Sequence, residues 1–297
     1  MSLAGFVLAA GLGTRIGALS RFRPKPLLPI GPTNAFARAV EALRAAGADP
    51  IVANAAHLAE QIVAAGRALD VRVVVEEGGP YGTAGGLAHA RRDLGQVDAV
   101  AVWNGDIVAD VDVGALVRAR SSAEAALAVR GREPIGRGNV GVAEDGRIVR
   151  LRDRSSSIAG AEAFGAWFAA VQVLGRSLVD AAPARGCLVG DLLIPALSRG
   201  VRVVAVPYAG PWHDVGDVSS YLAANLHHGV HVGDGAVIGP GVVLERSVIG
   251  ARSSVEGAGV LREVVVWPGA RARAPLSSAI VIDSGEVVPA RGLDASA

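Results

Sequence analysis

The fold of this chain follows from one stretch, residues Phe6 to Pro29, which reads FVLAAGLGTRIGALSRFRPKPLLP. Its first five residues, Phe6 to Ala10, are all apolar, and a short apolar run is typical of a buried parallel strand. Gly11 and Gly13 follow, and glycine adopts backbone conformations that a Cβ would forbid. A glycine loop directly after a strand brings backbone N–H groups close to a ligand, which suits a phosphate. The stretch therefore predicts an α/β sheet with an anion-binding loop at a strand end.

Two cations belong to the same stretch. Arg15 offers a planar fork of donors and Lys25 a compact point charge. Lys25 is the only lysine among the 29 Lys and Arg residues of the chain, and it stands between Pro24 and Pro26. A solvated surface lysine is the simpler interpretation. The stiff Pro-Lys-Pro setting inside a glycine-loop segment favours a functional one.

The loop departs from both common nucleotide-binding motifs. Gly11, Gly13 and Gly17 give G-x-G-x-x-x-G, one residue longer than the dinucleotide fingerprint. No glycine precedes Lys25, so the segment is not a G-x-x-x-x-G-K-[ST] loop either. The two motifs LAAGLGTR (Leu8–Arg15) and PKPLLP (Pro24–Pro29) instead resemble the signature of the sugar-1-phosphate nucleotidylyltransferases, the nucleoside-diphosphate-sugar pyrophosphorylases.

This resemblance implies a reaction and its partners. The enzyme would join an NTP to a sugar 1-phosphate, releasing pyrophosphate and forming an NDP-sugar, with Mg²⁺ as cofactor. Arg15 and Lys25 would be the catalytic cations that stabilise phosphate charge. The implied nucleotide-binding residues of the glycine loop are Leu8, Ala9, Ala10, Gly11, Gly13 and Thr14.

Strands and helices alternate through the first part of the chain. Apolar runs and helical spacing predict helices over Asn34–Gly47, through Leu58, Ile62 and Leu69, and over Leu87–Leu94; they predict strands over Ile51–Asn54, Val71–Glu76 and Asp98–Asn104. This alternation predicts a Rossmann-like mixed, mainly parallel sheet with helices on both faces. Ligands of such sheets bind beyond the carboxyl ends of the strands, where Gly11, Asn54, Glu76 and Asp106 fall.

A glycine-dense segment runs from Glu76 to Gly86 and predicts a loop leading into a helix. Its composition alone fits a ligand-binding loop and a flexible surface loop equally well. The run Gly82-Thr83-Ala84-Gly85 is similar to the base-recognition loop of the family, which favours the ligand-binding interpretation. The resemblance thus adds Glu76, Gly82, Thr83 and Gly105 to the nucleotide-binding set.

Two aspartates are candidate metal ligands. Asp106 follows an apolar strand in W-N-G-D, and Asp214 lies in W-H-D-V-G. Mg²⁺ uses one or two protein carboxylates and completes its shell with water and phosphate oxygens. Both motifs resemble metal-binding aspartates of the family, and a shared ion requires the two carboxylates to meet. The alternative for Asp214 is a cap for a helix over Ser219–Leu226.

The sugar-phosphate site is less well marked. The resemblance assigns Gly138, Asp153 and Arg154 to it, although relatives commonly carry Glu-Lys where this chain has Asp153-Arg154. The segment Trp167–Val171 occupies the place where many relatives carry a glycine. The spacing around Asn54–Ile62 looks most like mannose-1-phosphate guanylyltransferases and N-acetylmuramate-1-phosphate uridylyltransferases, so the nucleobase stays open.

The C-terminal part has another pattern. From Val230 onward, apolar-glycine pairs such as Val232-Gly233 and Ile238-Gly239 recur at six-residue spacing, which predicts a short parallel (left-handed) β-helix. The expected domains are a catalytic domain over residues 1–226 and a β-helix tail over residues 227–297, with the tail as a candidate homo-oligomer interface. Two alternative functions stay open, a catalytically silent nucleotide-sugar-binding regulatory subunit and a bifunctional enzyme with an acyltransferase tail.

Composition excludes several other classes. A net charge of +1 and an aromatic content of 4% argue against nucleic acid as a partner. No apolar stretch approaches the length of a membrane helix, so no membrane association is expected. The single cysteine excludes an intrachain disulfide framework and fits a reducing compartment. The expected location is the cytoplasm.

Overall fold

The computed structural model describes residues 1–155, 160–227 and 229–290. The chain divides into two compact units, and each unit consists of two separate stretches of the sequence. The sheet unit consists of Met1–Gly11 and Ala39–Trp212, and the tail unit consists of Leu12–Arg38 and His213–Ala297. The glycine-loop stretch is thus shared, because its strand belongs to the sheet unit and its cations belong to the tail unit.

The strands are β1 Leu3–Leu8, β2 Pro29–Ile30, β3 Thr33–Asn34, β4 Ile51–Ala55, β5 Arg72–Val75, β6 Ala99–Asn104, β7 Ile107–Ala109, β8 Ala125–Glu133, β9 Val140–Val142, β10 Ile148–Leu151, β11 Arg154–Ser155, β12 Phe164–Gly175, β13 Val203–Pro207, β14 Trp212–Asp214, β15 His231–Val232, β16 Val237–Ile238, β17 Gly241–Glu245, β18 Val248–Ile249, β19 Ser254–Val266, β20 Arg271–Val281 and β21 Val287–Pro289. The α-helices are α1 Ala35–Ala45, α2 Ala59–Ala68, α3 Gly82–Ala90, α4 Val113–Arg120, α5 Arg176–Asp180, α6 Ile194–Ser198 and α7 Val218–Leu226. Thr14–Arg21 and Lys25–Leu27 form 3-10 turns, and Leu188–Leu193 forms a π-helical turn.

The sheet unit is built on a ten-stranded mixed sheet in the order β11-β10-β9-β12-β6-β1-β4-β5, with β8 beside β12 and β13 beside β8. Strands β6, β1, β4 and β5 are parallel, and β12 joins β6 in the antiparallel sense. The α/β class and the mixed sheet predicted from the sequence are confirmed. The parallel strands bring the residues after Leu8, Ala55, Val75 and Asn104 to the same edge.

Helices cover both faces of this sheet. Alternate side chains of a strand point to opposite faces. Phe6 of β1 belongs to a buried cluster that includes Leu87 of α3. A Cβ on the neighbouring Gly5 would lie 3.2 Å from Leu43 of α1, so α1 packs against the other face. The apolar strands seen in the sequence are therefore buried on two sides.

Two element boundaries differ from the sequence-based prediction for physical reasons. Strand β1 ends at Leu8 and not at Ala10, because the N–H of Ala9 donates to the side chain of Asn54 and leaves the ladder. Helix α3 begins at Gly82 and not at Leu87. Its glycines allow the first turn to pack closely, since a Cβ on Gly85 would lie 2.8 Å from the carbonyl oxygen of Ala184.

The tail unit is dominated by parallel strands, most of which pair at the same sequence offset; the pairing of β19 with β20 shifts register between Gly257 and Leu261. His231 pairs with Val248, Val248 with Val265, and Val237 with Ser254, so partners lie 17 residues apart. Gly241 and Ala258, and Ser254 and Arg271, keep the same offset. The seven strands form one sheet, which buries Ile249, Val255, Leu261, Val265 and Ile280.

A buried polar group fixes the Pro-Lys-Pro segment within the tail unit. The hydroxyl of Tyr221 in α7 donates to the carbonyl oxygen of Pro29 at 2.5 Å and accepts from Nε1 of Trp267 at 3.0 Å. Tyr221 and Trp267 are fully buried, and burial raises the pKa of the Tyr221 hydroxyl, which stays neutral. Asn225 also donates to the Pro29 carbonyl and accepts from the N–H of Gly31. The loop after β19 is thereby hydrogen-bonded, through Tyr221, to the segment that carries Lys25.

We expect Tyr221→Phe to lower the free energy of unfolding by about 1–3 kcal/mol, because the indole N–H of Trp267 would be left buried without its acceptor. Urea denaturation followed by tryptophan fluorescence measures the change. Tyr81→Phe is the matched control, since the Tyr81 hydroxyl donates to the Glu77 carbonyl at the surface. Equal losses in the two variants would contradict the role of Tyr221.

Candidate active site

The amide of Asn54 joins the ends of three parallel strands. Asn54 is 3% exposed, and its Oδ1 accepts from the N–H of Ala9 at 2.7 Å. Its Nδ2 donates to Oε1 of Glu76 at 2.7 Å. The other carboxylate oxygen of Glu76 accepts from the N–H of Tyr81 at 2.6 Å. Glu76 therefore braces the backbone that leads into α3, and Asn54 braces the start of the glycine loop.

The first turn of α3 packs directly on this polar network. A Cβ on Gly86 would overlap Nδ2 of Asn54 and lie 2.8 Å from Oε1 of Glu76, so only glycine fits there. The N–H of Ala84 donates to the carbonyl of Gly186 at 2.9 Å. Thr83 Oγ1 accepts from the N–H of Leu188 at 2.7 Å. Gly82 and Thr83, both predicted to bind nucleotide, thus lie at the N-terminus of a helix that neighbouring backbone holds in place.

The turn after β6 carries Asp106. The N–H of the buried Gly105 donates to the carbonyl of Leu8 at 2.9 Å, which ties the ends of β6 and β1 together. The indole N–H of the buried Trp103 donates to the carbonyl of Ile107 at 3.1 Å, which links the two ends of the turn. Asp106 is half-buried on this turn. The sequence W-N-G-D therefore places a carboxylate at the edge of the sheet where the parallel strands end.

The tail unit brings the other predicted charges together. Lys25, only 8% exposed, begins a 3-10 turn, and its Nζ lies 3.9 Å from Oδ1 of Asp214. The Asp214 side chain is 41% exposed. Gly216 lies between the groups, because a Cβ there would be 3.5 Å from Asp214 Oδ1 and 3.6 Å from Nη1 of Arg15. Asp214 and Arg15, from motifs far apart in the sequence, thus both lie next to the buried Gly216, and Lys25 lies beside Asp214.

Helix α7 takes its cap from another aspartate. The side chain of Asp217 accepts from the N–H of Ser220 at 2.8 Å, and Ser220 Oγ accepts from the N–H of Asp217 in return. These hydrogen bonds lower the pKa of Asp217. The capping role that the sequence left open for Asp214 is therefore filled by Asp217.

The sheet unit contains a cavity of about 220 Å³ beside α3 and β12. Phe168, Leu188 and Val189 form part of its apolar wall. Burial raises the pKa of the Cys187 thiol, but the N–H groups of Gly190 and Val189 and the charge of Arg152 outweigh that effect, so the pKa is lowered. The polar residues of the wall are Thr83, Asn104, Asn139, Arg152, Gln172 and Cys187.

A buried ion pair shapes the loop that carries Asn139. Arg150 donates from Nε and Nη2 to the two carboxylate oxygens of Glu162, at 2.8 and 3.0 Å. Its remaining N–H groups reach the carbonyls of Arg137, Gly138 and Arg152 at 2.7 to 3.1 Å. The five N–H donors of one guanidinium therefore all have acceptors. The hydrogen bonds from Arg150 lower the pKa of Glu162 against the opposing effect of burial.

The residues that the sequence predicts for the sugar-phosphate site differ in their surroundings. A Cβ on Gly138, whose φ is +67°, would overlap the backbone of Ala166, so glycine is required. Asp153 and Arg154 are exposed and do not line the cavity, whereas Arg152 does. Sequence reasoning missed Asn139, Arg152 and Gln172. The signal for Gln172 was available, since it is a lone amide in the apolar strand β12.

A family profile described as the MobA-like NTP transferase domain matches residues 5–190, more than half of the chain. The chain belongs to this family. The matched range includes most of β1, the Asn54 network, Asp106 and the cavity.

Curated relatives extend the match. The "Mannose-1-phosphate guanylyltransferase" of Mycobacterium tuberculosis is 26% identical over 294 residues, covering 90% of this chain and 80% of that protein. The "Probable mannose-1-phosphate guanylyltransferase 1" of Oryza sativa subsp. japonica is 26% identical, covering 93% and 84%. The crystal structure of HddC from Yersinia pseudotuberculosis complexed with GMP-PN has a TM-score of 0.62 at 20% identity, covering 77% of this chain and 100% of that one. The structural likeness shows a shared fold.

The residues of this NTP transferase suit a lightly coordinated divalent metal ion. In the part of the chain that the structure describes, no group of three or more His, Cys, Asp and Glu forms a metal cluster. Asp106 and Asp214 are partly exposed carboxylates, each in its own unit, and such hard oxygen donors match Mg²⁺.

Among the described helices, none is long and apolar enough to cross a membrane.

The Arg150–Glu162 pair predicts a pH-dependent stability. Because the folded-state pKa of Glu162 is lowered, its carboxylate stabilises the fold above the unfolded value of about 4.3 and loses that effect as pH falls through the folded value. We expect Glu162→Gln to cost about 2 kcal/mol at pH 7 and progressively less below pH about 4. Urea unfolding across this pH range measures it.

Asp145→Asn is the matched control, since Asp145 pairs with Arg147 at the surface. Its cost at pH 7 should be clearly smaller than that of Glu162→Gln. A difference between wild type and Glu162→Gln that does not change with pH would contradict the assignment.

Proposed function

We propose that this chain is a sugar-1-phosphate nucleotidylyltransferase, which forms an NDP-sugar and pyrophosphate from an NTP and a sugar 1-phosphate. The observation that carries the proposal is the distance of 3.9 Å between Nζ of Lys25 and Oδ1 of Asp214. Arg15 lies next to Gly216, as Asp214 does. Membership of the NTP transferase family supports the nucleotide substrate. The names of the curated relatives support GTP and mannose 1-phosphate as the first pair to test.

The chemistry requires positioning and charge, and no protein nucleophile. An oxygen of the sugar phosphate attacks the α-phosphorus, and the bond from that phosphorus to the bridging oxygen breaks, so pyrophosphate leaves. Arg15 and Lys25 stabilise the negative charge on the phosphoryl oxygens, which is the largest catalytic contribution in such sites. Lys25 is held for this role by two prolines and by the Pro29 carbonyl, which Tyr221 and Asn225 bind.

The nucleotide site that we propose contains backbone from three segments. The glycine loop binds the phosphates, and the Asn54 network holds its first residues in place. The helix N-terminus at Gly82 and Thr83 provides further N–H groups, and Gly105 holds the ends of β6 and β1 together through its own N–H. Glu76 contributes indirectly, through the backbone that it braces. The full set is Leu8, Ala9, Ala10, Gly11, Gly13, Thr14, Glu76, Gly82, Thr83 and Gly105.

Asp106 and Asp214 are the residues that we propose to hold Mg²⁺. The ion would neutralise part of the triphosphate charge and orient its oxygens. In this proposal the ammonium of Lys25, 3.9 Å from Oδ1 of Asp214, helps to orient that carboxylate toward the phosphate-binding residues of its own unit. The sugar phosphate is assigned to Gly138, Asp153 and Arg154 together with Arg152 of the cavity wall.

For the C-terminal part we propose a short parallel β-helix, with a catalytic domain over residues 1–226 and a tail over residues 227–297. The 17-residue offset shared by most of the paired strands supports one coil of roughly three hexads per repeat. Among the described strands, β15, β16 and β17 pair on one side only, and Val232, Val237 and Val243 on them are exposed. This edge supports the tail as a homo-oligomer interface.

The deciding assay is pyrophosphate release by purified protein, with Mg²⁺, across the common NTPs and a panel of sugar 1-phosphates. We expect turnover with sugar 1-phosphates, fastest with GTP and mannose 1-phosphate, and none without a sugar phosphate. No turnover with any pair, or release of pyrophosphate from NTP alone, would refute the proposal.

A variant test addresses the catalytic cation. We expect Lys25→Met to lower turnover by about two orders of magnitude or more, because the charge that stabilises the transition state is removed. The exposed Arg21, on the neighbouring 3-10 turn, provides the control Arg21→Met, which should keep near-normal turnover. Circular dichroism checks the fold of both variants. Near-normal turnover of a folded Lys25→Met protein would remove Lys25 from the mechanism.

A further inference from the structure

The cavity of the sheet unit has a buried acceptor in its wall. Gln172 lies on β12 and is 2% exposed, and its Oε1 is buried without a hydrogen-bond partner in the described part of the chain. A buried acceptor of this kind costs about 1–3 kcal/mol when it is left unsatisfied. Nearly all buried polar atoms of native proteins have partners. An oxygen on a cavity wall acquires a partner when a ligand fills the cavity.

The other polar groups of the wall show what the ligand must offer. Asn139 accepts from the N–H of Phe168 through its Oδ1, and Thr83 accepts from Leu188 through its Oγ1. Neither contact uses the N–H or O–H protons of these side chains, so the wall presents donors. Arg152 is the one charged residue on the described wall. A ligand that carries several hydroxyls and a negative group meets all of these features.

The backbone of β12 is distorted next to this amide. Phe168 pairs with Val129 and Gln172 pairs with Leu127, so the three residues 169–171 of β12 lie opposite the single residue Ala128 of β8. Ala170 within this bulge has a φ of +60°, in the left-handed region. The indole N–H of Trp212 donates to the carbonyl of Ala169 at 2.9 Å and holds the bulge. Bulges re-aim side chains, and strained backbone of this kind concentrates at functional sites.

We infer that Gln172 is a specificity-determining residue, whose Oε1 accepts a hydrogen bond from one ring hydroxyl of the sugar 1-phosphate in this cavity. The inference rests on the proposed function. The cavity volume of about 220 Å³ lies below the roughly 300–1,000 Å³ of sites for drug-sized ligands, so it suits a single ring. A neutral amide on the wall selects a hydroxyl at one position of that ring.

A missing hydroxyl then has a defined cost. A site built to bind a substrate hydroxyl rejects an analogue that lacks it, because the buried protein group is left unpaired. One monodeoxy analogue of the accepted sugar 1-phosphate should bind at least tenfold more weakly than the parent, whereas the others lose less. Removing the amide should abolish the difference for that analogue alone.

The chain supplies its own reporter for this cavity. Cys187 lies on the wall, and it is the only cysteine in the sequence, so alkylation of a thiol reports on one place. We expect mannose 1-phosphate, or the sugar 1-phosphate that the turnover assay selects, to protect Cys187 from iodoacetamide. Mass spectrometry of the intact protein gives the labelling rate as a function of ligand concentration.

Gln172→Met is the test variant, since methionine keeps the length of the side chain and removes the acceptor. Without ligand, iodoacetamide should alkylate Cys187 of this variant at the wild-type rate. Protection of Cys187 should require at least tenfold more sugar phosphate than in the wild type. Its KM for the NTP should not change, and its midpoint of unfolding should equal or exceed that of wild type. Gln172→Leu repeats the test with a smaller side chain. Gln96→Met changes an exposed glutamine as the control.

Three results would overturn the inference while leaving the proposed function intact. The first is turnover without protection of Cys187. The second is a Gln172→Met protein that keeps the wild-type discrimination among monodeoxy analogues. The third is a Gln172→Met protein that is destabilised but has an unchanged KM for the sugar phosphate. Protection of Cys187 without turnover of any pair would instead refute the proposed function on which the inference rests.

Discussion

One buried amide holds together the edge of the sheet at which the parallel strands end. Asn54 accepts from Ala9 and donates to Glu76, and Glu76 in turn accepts from Tyr81. These contacts link the ends of β1, β4 and β5 to the start of α3. Because the network is buried, each hydrogen bond is stronger than it would be in water, and a lost partner leaves an uncompensated polar group. Backbone N–H groups can then point at a ligand without reorganising when it binds.

Charge is organised separately within the tail unit. The only lysine of the chain lies beside Asp214, and the Pro29 carbonyl after it accepts hydrogen bonds from Tyr221 and Asn225. Trp267, on the loop after β19, donates to Tyr221. The C-terminal strands thus support the segment that carries the catalytic cation in our proposal. This contact gives the tail a structural reason to affect catalysis beyond any role in assembly.

The sequence revealed the glycine loop, the α/β class and the family, because each depends on a local pattern: an apolar run before glycines, and lysine between prolines. The resemblance suggested Lys25 as a catalytic cation and Asp214 as a metal ligand without pairing them, and the structure brings the two together within the tail unit. Sequence alone missed Gln172 and Arg152, since a cavity wall combines residues from several strands. It also placed the start of α3 too late. The glycines there are required for close packing, of Gly82 and Gly85 against the backbone of residues 184–186 and of Gly86 against Asn54, and not for loop flexibility.

The most direct test of this account is nucleotide binding by Asn54→Ala, measured by calorimetry with GTP and Mg²⁺. The account predicts a folded protein whose affinity for GTP falls at least tenfold, because the N–H of Ala9 and the carboxylate of Glu76 lose their common partner. Asn34→Ala, which removes a 2.8 Å hydrogen bond to the N–H of Ala37 at the start of α1, should bind GTP as wild type does. Unchanged GTP affinity in a folded Asn54→Ala protein would contradict the claim that this amide positions the glycine loop.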